Sequence, residues 1–66
     1  MSQKEDIRQH LYNAGSITPG EALQLYGCAR LAARIDELRR DGVPVHTTII
    51  EVTGRKKPAR IARYWI

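Results

Sequence analysis

Residues 18–42, TPGEALQLYGCARLAARIDELRRDG, bring a helix start, a glycine stop, a second apolar stripe and a second glycine into little more than a third of a 66-residue chain. Thr18 and Glu21 have capping-box spacing, in which each side chain satisfies a backbone N–H of the other. Pro19 falls at the first helical position, where its missing N–H costs nothing. Ala22, Leu23, Leu25 and Tyr26 then predict a helix of about two turns, ended by Gly27. Leu31, Ile35 and Leu38 stand at i, i+4 and i+7, the inward stripe of a further helix closed by Gly42. Between the two, Gly27 and Cys28 lead almost directly into Ala29-Arg30-Leu31, so the joint predicted is a tight one.

The flanking segments differ in period. Upstream, Ser2 and Glu5 have capping-box spacing, and Ile7, Leu11 and Ala14 share one stripe, which predicts a helix over 3–14 ended by Gly15. Ser16 and Ile17 are too few for an independent strand and suit the edge of another. Downstream, Pro44 pushes Val43 to an extended conformation. VHTTIIEV (45–52) is rich in β-branched residues, TGRKKP carries turn signals and ARIARYWI (59–66) alternates, which together predict a β-hairpin. A lone hairpin is marginal in water, so it must pack on the helices. Val45, Thr47, Ile49, Ala62, Tyr64 and Ile66 are assigned to its inner face, with a bulge as the alternative that turns both Ile49 and Ile50 inward. Ile50, Ile61 and Trp65 are left partly outward.

Length bounds what such a chain can do. Sixty-six residues make one domain, 1–66, with fifteen Ile, Leu and Val residues, Trp65 and three tyrosines for a modest core and no deep substrate cavity beneath it. The single cysteine, Cys28, rules out an internal disulfide, and no Cys/His pair has zinc spacing. It reads as a small buried or capping residue. His10 and His46 are far apart in sequence, and no phosphate loop or paired-carboxylate motif is present. The expectation is a protein that is not an enzyme and takes no cofactor and no metal. With no apolar run of spanning length and a polar start, MSQKEDIRQH, it is expected to be soluble and cytoplasmic, away from any membrane.

Charge is uneven along the chain. Residues 1–27 carry Lys4 and Arg8 against Glu5, Asp6 and Glu21, a net −1, and residues 28–42 carry four arginines against three acids, a net +1. Residues 43–66 carry Arg55, Lys56, Lys57, Arg60 and Arg63 against Glu51, a net +4. Such asymmetry favours a polyanionic partner.

The order helix, bridge residues, helix, helix, strand, strand, with SITPGEAL, YGCARLAARIDELRRDG and ARYWI, resembles the small winged helix-turn-helix domains of bacterial regulators. It is most similar to the short phage and prophage proteins of that kind, over about Ile7 to Ile66. The chain departs from many of them in a helix-helix turn about two residues shorter. The resemblance implies an α+β fold, double-stranded DNA as partner, and a bacterial or phage-infected host cytoplasm. It implies a regulator of transcription or of recombination directionality.

On that fold the third helix enters the major groove, whose base edges present distinct donor and acceptor patterns. With Leu31, Ile35 and Leu38 inward, Ala29, Arg30, Ala33, Glu37 and Arg40 face outward and Arg34 lies at a flank. Arg30 is the leading base contact, and Arg34 suits guanine or phosphate. Arg55, Lys56, Lys57, Arg60 and Arg63 suit phosphate contacts from the wing. Thr18 and the amides of its helix suit a phosphate as well, although capping alone accounts for Thr18. Salt bridges along a solvated helix account for the arginines on a plainer reading, and protection of a sheet edge accounts for the basic loop. The alternative function is a protein-interaction adaptor, or a homodimer, through Ile50, Ile61 and Trp65.

Overall fold

A computed structural model describes residues 3–53 and 58–66. Arg55, Lys56 and Lys57 of the expected wing turn, and Ser2 of the first capping box, lie outside the described residues. The elements are α1 (Gln3–Ala14), β1 (Ser16–Ile17), α2 (Pro19–Tyr26), α3 (Leu31–Arg40), β2 (His46–Thr53) and β3 (Pro58–Trp65). The strands form one antiparallel sheet in the order β1-β3-β2. This is the α+β arrangement expected, including the use of Ser16-Ile17 as an edge strand.

Each helix contributes a different amount to the core. Ile7 and Leu11 of α1 are fully buried, whereas Ala14, expected on the same stripe, is exposed because the helix ends as the chain turns into β1. In α2 only Ala22 is buried, and Leu23 and Leu25, two of the residues that predict this helix, are 57% and 58% exposed. The inward line of this helix runs from Ala22 to Tyr26 at i, i+4. At 100° per residue, Leu23 and Leu25 fall on its two flanks. Leu31, Ile35 and Leu38 of α3 are all buried, and Cys28 joins them. A Lys4–Asp41 bridge of 2.8 Å pins α1 to the end of α3. The Lys4 ammonium is held above its ordinary pKa, first by that hydrogen bond and then by the charge of Asp41.

The joint between α2 and α3 differs from the expectation. Gly27 adopts φ +65°, the left-handed conformation that lets the amides of Gly27 and Cys28 return to the carbonyls of Leu23 and Ala22. The chain does not re-enter helix at Ala29, since Cys28, Ala29 and Arg30 stay outside and α3 begins at Leu31. Four residues, Gly27 to Arg30, therefore separate the helices, an ordinary length for a helix-turn-helix joint. The turn is not shortened. Arg30, at φ −123° and ψ 60°, is outside the helical region, and Cys28 is buried from within the joint.

The hairpin ladder is continuous from His46↔Trp65 to Thr53↔Pro58, without a bulge. Ile17, Val45 and Tyr64 are buried on the helix-facing side, and Ala62 and Ile66 pack against the core. Thr47 and Ile49 share that side by register, opposite Tyr64 and Ala62, yet both are exposed, Ile49 at 60%. The alternation identified the face correctly. What it did not convey is that the hairpin runs past the helices, so on this side Thr47, Ile49 and Glu51 stay exposed. The molecule is accordingly elongated, 38 × 22 × 20 Å.

Candidate nucleic-acid interface

The two helix starts in the central segment are built differently. At α2, Thr18 Oγ1 accepts from Glu21 N at 3.3 Å and Glu21 Oε1 accepts from Thr18 N at 3.0 Å, completing the capping box. The Thr18 hydroxyl also donates to the same carboxylate at 3.2 Å. The positive end of that helix is thus already matched by a negative side chain. Thr18→Ala is expected to lower stability by about 0.5–2 kcal/mol, which a thermal melt of the two proteins measures.

At α3 there is no such arrangement. Its N-cap, Arg30, makes no side-chain capping bond, and the first turn carries no acid. First-turn amides without an intrahelical partner and the helix dipole favour an anion there. Ala29, Arg30 and Ala32 are exposed around this end, and the alanines allow the backbone to come close to a partner surface. Arg30 has φ −123° and ψ 60°, so it stands just before the helix and not on its outward face as expected. It remains at the uncapped end of α3.

Further along α3, Ala33, Asp36 and Arg40 lie opposite the buried stripe, with Ala33, Arg34 and Glu37 half-buried and Asp36 and Arg40 exposed. Arg34 Nη1 pairs with Glu37 Oε1 at 2.9 Å, the plainer reading of that arginine. Among the described residues Arg30, Arg40 and Arg60 have neither an ion pair nor a side-chain hydrogen bond. Asp36, at i, i+4 spacing from Arg40 and so a candidate partner for it, is an acid in the middle of this face and lies 3.7 Å from Arg39 instead. Arg39 was overlooked: Nε donates to Val45 O at 3.0 Å and Nη2 to Thr47 Oγ1 at 2.6 Å. A two-residue signal, Arg39-Arg40 directly before a turn, is all the sequence offers for it.

The basic residues of β3 separate. Arg60 pairs in register with Glu51 on the helix-facing side, and Arg63 pairs with Thr48 on the opposite side, where its Nη2 donates to Ser16 Oγ at 3.1 Å. Odd spacing on a strand forces this split. On the side away from the helices, Trp65 stacks on His46 with ring centroids 4.4 Å apart and donates to Thr48 Oγ1 at 2.9 Å. Trp65 is 40% exposed, and with Ser16, Thr48, Ile50 and Arg63 it lines an open groove of about 400 Å³. Ile61 is half-buried on the same side.

His10 Nδ1 lies 2.8 Å from Tyr26 OH in the α1–α2 contact, remote from His46 on the sheet. Among the described residues no group of three or more His, Cys, Asp or Glu side chains is placed to hold a metal ion, and no helix is long and apolar enough to cross a membrane.

A family model described as a winged helix-turn-helix domain matches residues 2–66. Neither the curated proteins nor the solved structures contain a significant match.

Proposed function

Since the chain belongs to the winged helix-turn-helix domain family, we propose that it binds double-stranded DNA, with the N-terminal end of α3 in the major groove and the wing on the backbone or minor groove. The observation that carries this reading is the start of α3: an uncapped, acid-free first turn beside exposed Arg30, which has no partner among the described residues. Arg30 is the base-reading residue, within a face that includes Ala29, Ala33, Glu37 and Arg40. Arg34 enters only by giving up Glu37. Arg55, Lys56, Lys57 and Arg60 hold phosphates, and Arg63, on the other side of the sheet, is the weakest member of that set. Thr18 acts through its helix cap. The role is that of a small regulator of the phage or prophage type, working in the cytoplasm on transcription or recombination directionality, with no reaction of its own.

Binding that rests on such contacts releases counterions. With Arg30, Arg40, Arg55, Lys56, Lys57 and Arg60 each on a phosphate or base edge, log K should fall against log salt with a slope of about −5, roughly a thousandfold for a fourfold rise in salt. Lys57→Ala should lower the slope by about 1 and weaken all sequences alike. Anisotropy titrations of a mixed-sequence duplex across salt concentrations measure both, and no binding at low salt would remove the reading.

The groove beside Trp65 favours a second reading, in which that side of the sheet holds a protein partner or a second copy of the chain through Ile50, Ile61 and Trp65. Ile61→Asp should leave the salt slope untouched under the first reading and abolish function under the second.

A further inference from the structure

We infer that Arg39 is a positioning residue for DNA binding, a strut that sets the angle between α3 and the hairpin and does not itself touch the duplex. The inference rests on the proposed DNA-binding reading and adds to it the element that holds its two contact surfaces in relation.

The need for such a strut follows from the packing. α3 packs chiefly on α1 and makes few contacts with the sheet. The hairpin leaves the core beyond Thr47, where Ile49 is already 60% exposed. The direction of a two-stranded ribbon of this kind is decided at its root. A helix seated in one groove and a ribbon lying on the adjacent backbone must keep a set angle, because the spacing of duplex grooves is set by the DNA.

Arg39 acts at that root. Its Nε donates to the carbonyl of Val45 at 3.0 Å, just before β2, and its Nη2 to Thr47 Oγ1 at 2.6 Å, on β2 itself. Its Nη1 lies 3.7 Å from Asp36 Oδ1, one turn back on α3. A planar guanidinium fixes the directions of these donors relative to one another, so the bonds set an orientation as well as a separation. Val45 is 6% exposed, so its carbonyl is held in place, and Thr47 is an exposed residue of the ladder opposite buried Tyr64. Among the described residues no other side chain of α3 hydrogen-bonds to this root. Arg40, the next residue, points about 100° further round and has no partner among the described residues. Two adjacent arginines therefore divide the work, one holding the ribbon and one facing outward.

The test is a double-mutant cycle on the full chain with a mixed-sequence duplex of about 20 base pairs, enough for two helical turns. Arg39→Ala should weaken binding about tenfold when the wing is intact, and less than twofold when Lys56 and Lys57 are both replaced by Ala, because a misdirected wing has then little left to lose. Equal losses in both backgrounds would make Arg39 a direct phosphate contact and overturn the inference. Arg39→Lys keeps the charge and loses the fork, so it should behave as the alanine variant, and full recovery by Lys would also overturn it.

A second measurement needs no DNA. Residual dipolar couplings of backbone amides in free Arg39→Ala should show the hairpin reoriented or averaged relative to the helices, with couplings within α1 to α3 unchanged. Hairpin couplings identical to wild type would overturn the strut. If the wild-type chain binds no duplex, the DNA reading fails while the couplings still decide the strut. Should Arg39→Ala not fold, Thr47→Val removes one acceptor at constant shape and should give the same change at smaller size.

Discussion

Ile35→Ala is expected to lower the melting temperature by on the order of 10–40 °C. Ile35 is fully buried at the centre of α3's inward stripe, between Leu31 and Leu38, and in a molecule this small there is little else to fill the space it leaves. Truncating a buried isoleucine to alanine costs about 2–5 kcal/mol, whereas a domain of this length has roughly 3–10 kcal/mol in total. The variant should therefore be mostly unfolded near physiological temperature, or close to it, and α3 would no longer present a surface. Ile49→Ala is the control: Ile49 is the same residue type but 60% exposed on the distal hairpin, and its loss should move the melt by only a few degrees. Circular dichroism melts of the two variants decide the matter. Similar shifts for both would mean that the hairpin folds back on the helices and that the core described above is misplaced.

Arg30→Ala is expected to weaken DNA binding by about 1–3 kcal/mol, a factor of roughly 5 to 150, without changing the melt. The two parts of the expectation have separate grounds. Arg30 is exposed and has neither a side-chain hydrogen bond nor an ion pair among the described residues, so the folded state loses neither. On the proposed mode of binding it stands at the uncapped end of α3, from which a guanidinium would reach the acceptor edge of a guanine or a phosphate. Arg34→Ala should cost less, because the Glu37 pair at 2.9 Å must first be broken for Arg34 to bind. Anisotropy titrations at one salt concentration rank the two. An Arg30→Ala protein that binds as well as wild type would place the contact surface elsewhere on the molecule.

How much of this was legible in the sequence depends on whether the determinant was local. Thr18, Pro19, Glu21 and Gly27 act within one turn of their own helix, and the boundaries of α2 could be read from them directly. The stripe Leu31, Ile35, Leu38 and the change to β-branched alternation after Pro44 were equally local, and they sufficed for the order of elements and the winged arrangement. Determinants that depend on what covers a surface were not legible. Leu23 and Leu25 look like core residues until α2 is seen to bury Ala22 and half-bury Tyr26 while both leucines stay more than half exposed. Thr47 and Ile49 alternate as inner residues do, but only the lengths of hairpin and helices together show that the distal half is uncovered. The start of α3 was missed because Ala29 and Arg30 are both good helix formers, and nothing local in them signals the non-helical conformation of Arg30.

The candidate site shows the same division. Which arginines exist and how they cluster is plain from the chain, whereas their division into free, paired and bracing groups is a property of the fold. Arg60 and Arg63 read as one basic strand in the sequence and lie on opposite sides of the sheet in the structure. Arg39 and Arg40 read as one dipeptide, yet one is bound to the root of the hairpin and the other faces outward.

Whether the start of α3 reads duplex DNA is decided by selecting bound sequences from a random duplex pool with wild type and with Arg30→Ala side by side. Wild type should enrich a short motif. The variant should still retain DNA at low salt through its other basic residues but lose preference at one or two positions of that motif. The same motif enriched equally by both proteins, or no enrichment by wild type, would contradict that reading.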